Sequence, residues 1–186
     1  MARRTRLVTS GTKSSTRETI ESILWAVALA MAIRTFLVAP FKIPSGSMRP
    51  TLIEGDRILV NKFLYRFREP QRGDVVVFRF PENPKRPFIK RLIGMDGDHL
   101  EIREGRILIN GEVLSGGLPA TSYYYNQGPF GQEENVVDVP PEAYFVLGDN
   151  SAASHDSRFW GFVPRRLVIG KAICIFWPPS RIRAIR

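Results

Sequence analysis

The sequence is poor in the side chains that most often carry enzyme chemistry or covalent cross-links. Its 186 residues include one cysteine, Cys174, and two histidines, His99 and His155. A lone cysteine excludes an intrachain disulfide and a cysteine-rich metal cluster, and we predict neither a metal site nor a cofactor. Cys174 lies in the apolar run 172–176, where a small buried side chain is a better interpretation than a reactive thiol.

Long apolar runs are also scarce. The uninterrupted run Ile23–Ile33 has only eleven residues, and the charged residues Glu21 and Arg34 lie on either side of it. Segment 20–39 would nevertheless cover about 30 Å as a helix, which is the thickness of a hydrocarbon core. A buried amphipathic helix and a cleaved secretory signal are alternatives, although Pro40, directly after the segment, is poor cleavage-site chemistry. We predict an uncleaved transmembrane helix over residues 20–39.

The net charge of +9 is concentrated near the two ends of the chain. Before residue 20, five basic residues are opposed by one acidic residue, Glu18. Cytoplasmic flanks of membrane helices carry such an excess of Lys and Arg. We therefore predict a cytoplasmic tail over residues 1–19 and an extracytoplasmic location from about residue 41 onward. The middle of the chain is mixed in sign, so we expect a lipid bilayer as a partner and no nucleic acid.

Residues 41–186 are rich in β-branched and aromatic runs bounded by glycine and proline, which favour strands. The predicted strands are 57–61, 73–80, 86–93, 106–114 and 143–147. Asn110-Gly111 divides one run and is typical of a type I′ hairpin, and short helical turns are expected at 47–52 and 165–167. We predict a mainly β fold with an antiparallel β-sheet domain, the candidate catalytic part, over 41–96 and 142–186. A smaller β subdomain containing the hairpin is inserted at 97–141.

Two hydroxyls flank a flexible residue in Ser45-Gly46-Ser47, at the start of an expected turn. Backbone N–H groups in such a turn can stabilise an oxyanion, and a serine there can act as a nucleophile when a base lies nearby. Taken alone, a serine cluster of this kind is more often a helix cap or a turn.

Histidine is the usual base for a serine nucleophile, but neither histidine of this chain is well placed. His155 lies between Ser154 and Asp156. Adjacent residues cannot form a triad among themselves because neighbouring side chains diverge. His155 could therefore serve Ser47 only from a distance, and His99, in a predicted turn, is expected to be solvated.

Lysine is the other candidate base. It acts only when uncharged, which requires burial to lower its pKa from about 10.4. In a strand, Lys90 would share a face with Phe88 and Leu92, while Arg91 would face the other way and could form a salt bridge there. The alternative is a lysine at a sheet edge whose amine reaches solvent.

Four sequence blocks together resemble the bacterial type I signal peptidases. The blocks are Pro44-Ser-Gly-Ser-Met-Arg-Pro-Thr-Leu52, Arg72-Gly-Asp-Val-Val-Val-Phe78, Phe88-Ile-Lys-Arg-Leu-Ile-Gly94 and Gly148-Asp-Asn150 with Asp156-Ser-Arg-Phe-Trp-Gly-Phe-Val163. The resemblance implies a membrane-bound serine endopeptidase that removes signal peptides from exported preproteins, cleaving after small residues in Ala-x-Ala-like motifs. It also implies a single-pass protein of the bacterial cytoplasmic (inner) membrane, with the secretion machinery as a further candidate partner.

The resemblance also implies roles for individual residues. Ser47 matches the nucleophile and Lys90 the general base. Ser45 matches a residue that helps the Ser47 N–H to stabilise the oxyanion, and Ser154 matches one that orients the lysine amine. Two ion pairs match those that brace the site, namely Asp149 with Arg91 and Asp156 with Arg158. The strand edges that bind the substrate are matched by Lys42, Ile43, Pro44, Phe88 and Ile89.

Two positions depart from the family pattern. Ser151-Ala152-Ala153 stands where Arg-Asp-Asn is usual, and Asp96 stands where proline is common. We expect a looser loop at the first position and an altered turn at the second, with activity retained. Three alternatives remain: a maturation peptidase dedicated to one substrate, a non-catalytic membrane-tethered peptide-binding homologue, and a DNA-associated self-cleaving regulator. The last would need a helix-turn-helix where this chain has its apolar segment.

Overall fold

The computed structural model describes residues 15–32 and 38–185, and the chain divides into two compact units. The first unit contributes helix α1 (Ser15–Ala32), which begins before the predicted start at residue 20. Residues 1–14 of the predicted tail and 33–37 of the predicted membrane helix lie outside the described residues. In the described ranges, no helix is both long enough and apolar enough to cross a membrane.

The predicted end of the membrane helix is wrong at its last two residues. Val38 and Ala39 belong to a strand, in which Val38 pairs with Asn61. The reason is local, because Pro40 disfavours helical backbone at the residue before it and the β-branched Val38 favours a strand.

The second unit is mainly β, and its twelve described strands are all paired antiparallel, which confirms the mainly β, antiparallel part of the predicted fold class. They are β1 (Val38–Lys42), β2 (Arg57–Asn61), β3 (Val75–Phe80), β4 (Asn83–Gly94), β5 (His99–Arg103), β6 (Arg106–Ile109), β7 (Glu112–Val113), β8 (Val137–Asp138), β9 (Ala143–Leu147), β10 (Val163–Pro164), β11 (Val168–Trp177) and β12 (Arg183–Ala184). Two short helices, α2 (Gly117–Thr121) and α3 (Ser157–Trp160), complete the regular structure with several 3₁₀ turns.

The strands form two sheets. The large sheet has the order β1-β2-β11-β3-β4-β9-β10, with β12 added on β11. The small sheet has the order β7-β6-β5-β8 and is built wholly from residues 99–138, inside the segment predicted as an insertion. Asn110 and Gly111, with φ angles of 54° and 85°, form the turn between β6 and β7 as type I′ chemistry requires.

Strand alternation divides the core into clusters on opposite faces of the large sheet. Val75 and Val77 of β3 pack in one cluster, whereas Val76 and Phe78 pack in another. A third cluster joins the small sheet to β9, through residues that include Leu147. Helical turns occur near both expected positions, at Gly46–Met48 and Arg165–Leu167, and both are 3₁₀.

Cys174, which was predicted to be a small buried side chain, is only half-buried. The pairing of β11 with β2 shifts register between Ala172 and Cys174. Such an irregularity interrupts the alternation that would otherwise continue the apolar face.

Candidate active site

The Ser47 hydroxyl and the Lys90 amine lie in contact. Ser47 is the middle residue of the 3₁₀ turn Gly46–Met48, which follows β1, and Lys90 lies in β4. The distance from Lys90 Nζ to Ser47 Oγ is 2.6 Å. Lys90 is 4% exposed and Ser47 is 8% exposed. A hydroxyl and an amine are thus within hydrogen-bonding distance in a site that excludes most water.

The position of Lys90 in β4 explains its burial. It pairs with Val76 of β3 and lies on the face of the cluster that contains Phe88 and Leu92. Burial lowers the pKa of Lys90 from 10.5 to about 8; Asp156 and Asp149 oppose this shift, whereas Arg158 adds to it. An amine with this pKa is neutral in a substantial fraction of molecules near pH 8.

The turn that carries Ser47 is fastened to the loop after β9. The Asn150 N–H donates to the Ser47 carbonyl at 3.0 Å, and Asn150 Nδ2 donates to the Gly46 carbonyl at 3.1 Å. Ser45 precedes the turn in extended backbone, with its Oγ 3.5 Å from Ser47 Oγ. The Ser45 hydroxyl and the Ser47 hydroxyl therefore border the same small space.

Arg91 and Asp149 form a buried ion pair on the face of β4 opposite Lys90. Arg91 Nε and Nη2 each donate to an oxygen of Asp149 at 2.7 Å, and the two side chains are 3% and 0% exposed. Arg91 Nη1 donates to the Gly73 carbonyl at 2.7 Å, and Thr51 Oγ1 donates to Asp149 at 2.5 Å. The pair fixes the start of the loop that holds Asn150 against Ser47.

Asp156 and Arg158 form a second bidentate pair, fully buried, at 2.8 and 2.9 Å. Asp156 is the N-cap of α3, and its carboxylate also accepts from the Gly148 N–H at 3.0 Å and the Arg158 N–H. Such a carboxylate needs every one of these donors, because an unpaired buried charge is costly.

Ser154 does not form the predicted hydrogen bond with the lysine amine. Its Oγ is buried and has no hydrogen-bond partner in the described structure. The side chain faces the Gly148 backbone instead, since a Cβ at Gly148 would lie 2.1 Å from Ser154 Oγ. The predicted orientation of Lys90 by this hydroxyl is therefore not formed in this conformation.

Two clefts share the lining residues Pro44, Phe88 and Ile89, and one of them contains the Ser47–Lys90 contact; together they contain every residue predicted to bind substrate. A cleft of about 310 Å³ is lined by residues that include Lys42, Ile43, Pro44, Phe88 and Ile89. A second, of about 270 Å³, is lined by Ser45, Ser47, Lys90, Ala153 and His155 together with Pro44, Phe88 and Ile89. Among the described strands, β1 pairs only with β2, and β4 before Arg91 pairs only with β3, so both strands present free backbone edges.

The two histidines lie in different surroundings. His155 lines the second cleft and packs against the Phe159 ring, with centroids 5.1 Å apart. His99 is exposed in β5, where its Nδ1 lies 2.5 Å from Asp138 Oδ1. His99 is therefore hydrogen-bonded to a carboxylate of the small sheet, whereas the side chain hydrogen-bonded to the Ser47 hydroxyl is a lysine.

Within the loop that was expected to be looser, Ser151 is held firmly, whereas Ala152 and Ala153 are exposed. Ser151 is buried and hydrogen-bonded through both its side chain and its carbonyl, including to Arg158. Asp96, at the other departure, accepts from the Glu142 N–H at 3.1 Å.

Sequence reasoning missed the contacts that Thr51, Asn150 and Ser151 make at the site, because ordinary polar residues in loops carry no signal of a distant partner.

The chain is similar to known signal peptidases over most of its length. The pattern of the family described as "Signal peptidase, peptidase S26" matches residues 16–177. A probable signal peptidase I-2 of Synechocystis sp. is 41% identical over 167 residues, which cover 87% of this chain and 73% of that protein. A signal peptidase I of Leptolyngbya laminosa is 42% identical over 172 residues, or 89% of this chain and 81% of that protein. The crystal structure of a signal peptidase I from Enterococcus faecalis matches with a TM-score of 0.48 and 35% identity, over 56% of this chain and 97% of that chain.

Proposed function

Because this chain belongs to the peptidase S26 family of signal peptidases, we propose that Ser47 and Lys90 are the nucleophile and the general base with which it removes signal peptides. The chain is a serine endopeptidase of the signal peptidase I type. The observation that carries the proposal is the 2.6 Å contact between Lys90 Nζ and Ser47 Oγ in a buried site.

In the proposed acylation step, the neutral Lys90 amine takes the proton of Ser47 while Ser47 Oγ attacks the carbonyl carbon of the scissile bond. The carbonyl oxygen becomes an oxyanion in the tetrahedral intermediate. The protonated Lys90 then gives its proton to the departing amine of the mature protein, and the signal peptide stays on Ser47 as an ester. Water, deprotonated by Lys90, hydrolyses this ester and regenerates Ser47.

We assign stabilisation of the oxyanion to the Ser45 hydroxyl and the Ser47 N–H. The short separation of the two hydroxyls, 3.5 Å, and the Asn150 bonds that hold the turn support this assignment. The buried pairs Arg91–Asp149 and Asp156–Arg158 are proposed to brace the backbone on either side of the nucleophile.

The substrate is proposed to bind as an extended strand between the free edges of β1 and β4. Both edges border the clefts, and the second cleft lies directly against Ser47 and Lys90. A cleft this small beside the nucleophile favours small side chains before the cleaved bond, which is consistent with Ala-x-Ala-like motifs.

We also propose that the apolar segment that begins at residue 20 and includes most of α1 anchors the chain in the membrane, with its N-terminus in the cytoplasm and residues from 41 onward outside. Seven large apolar side chains of α1 are each more than half exposed. They are Ile20, Ile23, Leu24, Trp25, Val27, Leu29 and Met31. Hydrocarbon would cover such a surface favourably. Resistance to alkaline carbonate extraction, with loss of that resistance on deleting the segment, tests the anchor.

The proposed dyad is tested by cleavage of a purified preprotein in detergent. Ser47→Ala and Lys90→Ala are each expected to lower kcat/KM by about 10³-fold or more, whereas His155→Ala should retain most activity. In the unmodified enzyme, kcat/KM should rise with pH through about 8, as Lys90 loses its proton. Normal cleavage by Lys90→Ala would overturn the proposal, and loss of cleavage in His155→Ala alone would move the base to histidine.

A further inference from the structure

Ser151 is buried where the active-site loop meets the inserted subdomain. Its side-chain Oγ accepts two hydrogen bonds, from the Tyr125 N–H and from Arg158 Nη1, each at 2.9 Å. Its carbonyl accepts a third from Arg158 Nη2 at 2.8 Å. Two of these bonds come from a charged donor, and charge-assisted bonds in a dry site are the strong ones. Ser151 therefore contributes substantially to the placement of the Arg158 guanidinium.

The inserted subdomain encloses the same arginine from the other side. The Tyr125 carbonyl accepts from Arg158 Nη1 at 2.8 Å, and the Phe130 N–H donates to the Arg158 carbonyl at 2.9 Å. Gly128 and Gly131 allow this close approach, since a Cβ at Gly128 would lie 2.3 Å from the Arg158 carbonyl oxygen and one at Gly131 would lie 2.8 Å from Arg158 Cγ. Arg158 is consequently fully buried, and it is held in place both by the loop that contains Ser151 and by the segment that contains Tyr125.

The position of Arg158 affects the charge balance at Lys90. The charged groups that act on Lys90 are Asp156, Arg158 and Asp149, in that order. Asp156 and Asp149 raise the pKa of Lys90, whereas Arg158 lowers it and also neutralises Asp156 at 2.8 Å. A displaced Arg158 would leave Asp156 less well compensated, and the neutral form of the amine would become rarer.

We propose that Ser151 is a positioning residue that links the inserted subdomain to catalysis by holding the Arg158 guanidinium between Asp156 and the Tyr125 backbone. The inference rests on the proposed role of Lys90 as the general base. It also gives a function to the position at which this chain departs from Arg-Asp-Asn, because the buried Ser151 hydroxyl accepts hydrogen bonds from two donors there.

The test compares Ser151→Ala with the wild type in preprotein cleavage over pH 6 to 10. Loss of the acceptor should lower kcat/KM about tenfold at pH 7, as expected for a hydrogen bond to a charged group. The acid limb of the profile should move to higher pH, and the deficit should shrink at the alkaline plateau. A role confined to folding would instead lower activity by the same factor at every pH. Ala152→Gly, in the same loop but exposed, is the matched control and should keep the wild-type profile.

Coupling through Arg158 is measured by a double-mutant cycle. If Ser151 acts through this arginine, then Ser151→Ala should cost much less activity when Arg158 is already replaced by lysine. Additive losses, or a Ser151→Ala profile with the wild-type midpoint, would overturn the inference. The outcome is separate from that of the dyad, since failure of the dyad proposal would appear as activity in Lys90→Ala, whatever Ser151→Ala does.

Discussion

Replacing Lys90 with methionine is expected to abolish catalysis and yet make the folded protein more stable below pH 8. Burial lowers the pKa of Lys90 from 10.5 to about 8. At about 1.4 kcal/mol per pH unit, this difference means that the charged lysine costs the folded state about 3 kcal/mol. Methionine of similar length removes that cost but also removes the bond to Ser47, which contributes about 1 kcal/mol. The net gain in the free energy of unfolding is therefore about 2 kcal/mol.

The pH dependence identifies the cause of this gain. Below pH 8, Lys90 is protonated in both the folded and the unfolded chain, so the full cost is present. Between pH 8 and 10.5 the unfolded chain binds a proton that the folded chain does not, so wild-type stability rises by up to about 1.4 kcal/mol per pH unit. Above 10.5 both forms are neutral and the advantage of Lys90→Met disappears.

The assay is urea unfolding in a mild detergent at pH 6 to 11, comparing Lys90→Met with the wild type at each pH so that other titrating groups cancel. Lys85→Met is the matched control, because Lys85 is an exposed lysine in the same strand. It should leave the pH dependence unchanged. Parallel stability curves for Lys90→Met and the wild type from pH 7 to 11 would refute the assignment of a buried, destabilising charge to Lys90.

Two further predictions concern the braces of the site. Arg91→Leu leaves the buried Asp149 carboxylate unpaired and should destabilise the fold by about 3–5 kcal/mol in urea unfolding. The pair of Arg49 with Glu54, in which both side chains are exposed, provides the contrast, since Arg49→Leu should cost only a small fraction of that loss; equal losses would contradict the burial argument. Gly148→Ala places a Cβ 2.5 Å from the Ser47 carbonyl oxygen as well as 2.1 Å from Ser154 Oγ, so the backbone must shift, and cleavage should fall about 100-fold for a displacement near 1 Å. Wild-type kcat/KM in Gly148→Ala would show that the loop adapts without moving the nucleophile.

The sequence was informative wherever a local pattern has one physical meaning. The alternation around Lys90 placed it on an apolar face, because strand geometry sends successive side chains to opposite sides. Asn110-Gly111 specified its own turn, since few other residues accept two successive positive φ angles. The order of four blocks was enough to indicate the family, and with it the activity, although each block alone had a simpler interpretation.

Local patterns failed where the partner is distant in sequence. Ser151 was expected to loosen its loop, but it is buried against Arg158 and the Tyr125 backbone. Ser154 was expected to reach the lysine amine, but its hydroxyl faces Gly148. Neither outcome depends on composition or spacing. Each depends on which backbone groups the fold brings to within 3 Å.

The sequence by itself therefore determined the residue types at the site, the strand that buries a lysine and the family to which the chain belongs. Only the tertiary structure decided that the Ser47 hydroxyl meets the Lys90 amine at 2.6 Å, that Arg91 pairs with Asp149, and that Ser151 and Arg158 bond to the Tyr125 backbone. The physical reason is that a hydrogen bond is set by distances of a few tenths of an ångström. Such distances arise when a turn and a strand residue 43 positions apart along the chain pack together, and no local pattern records them.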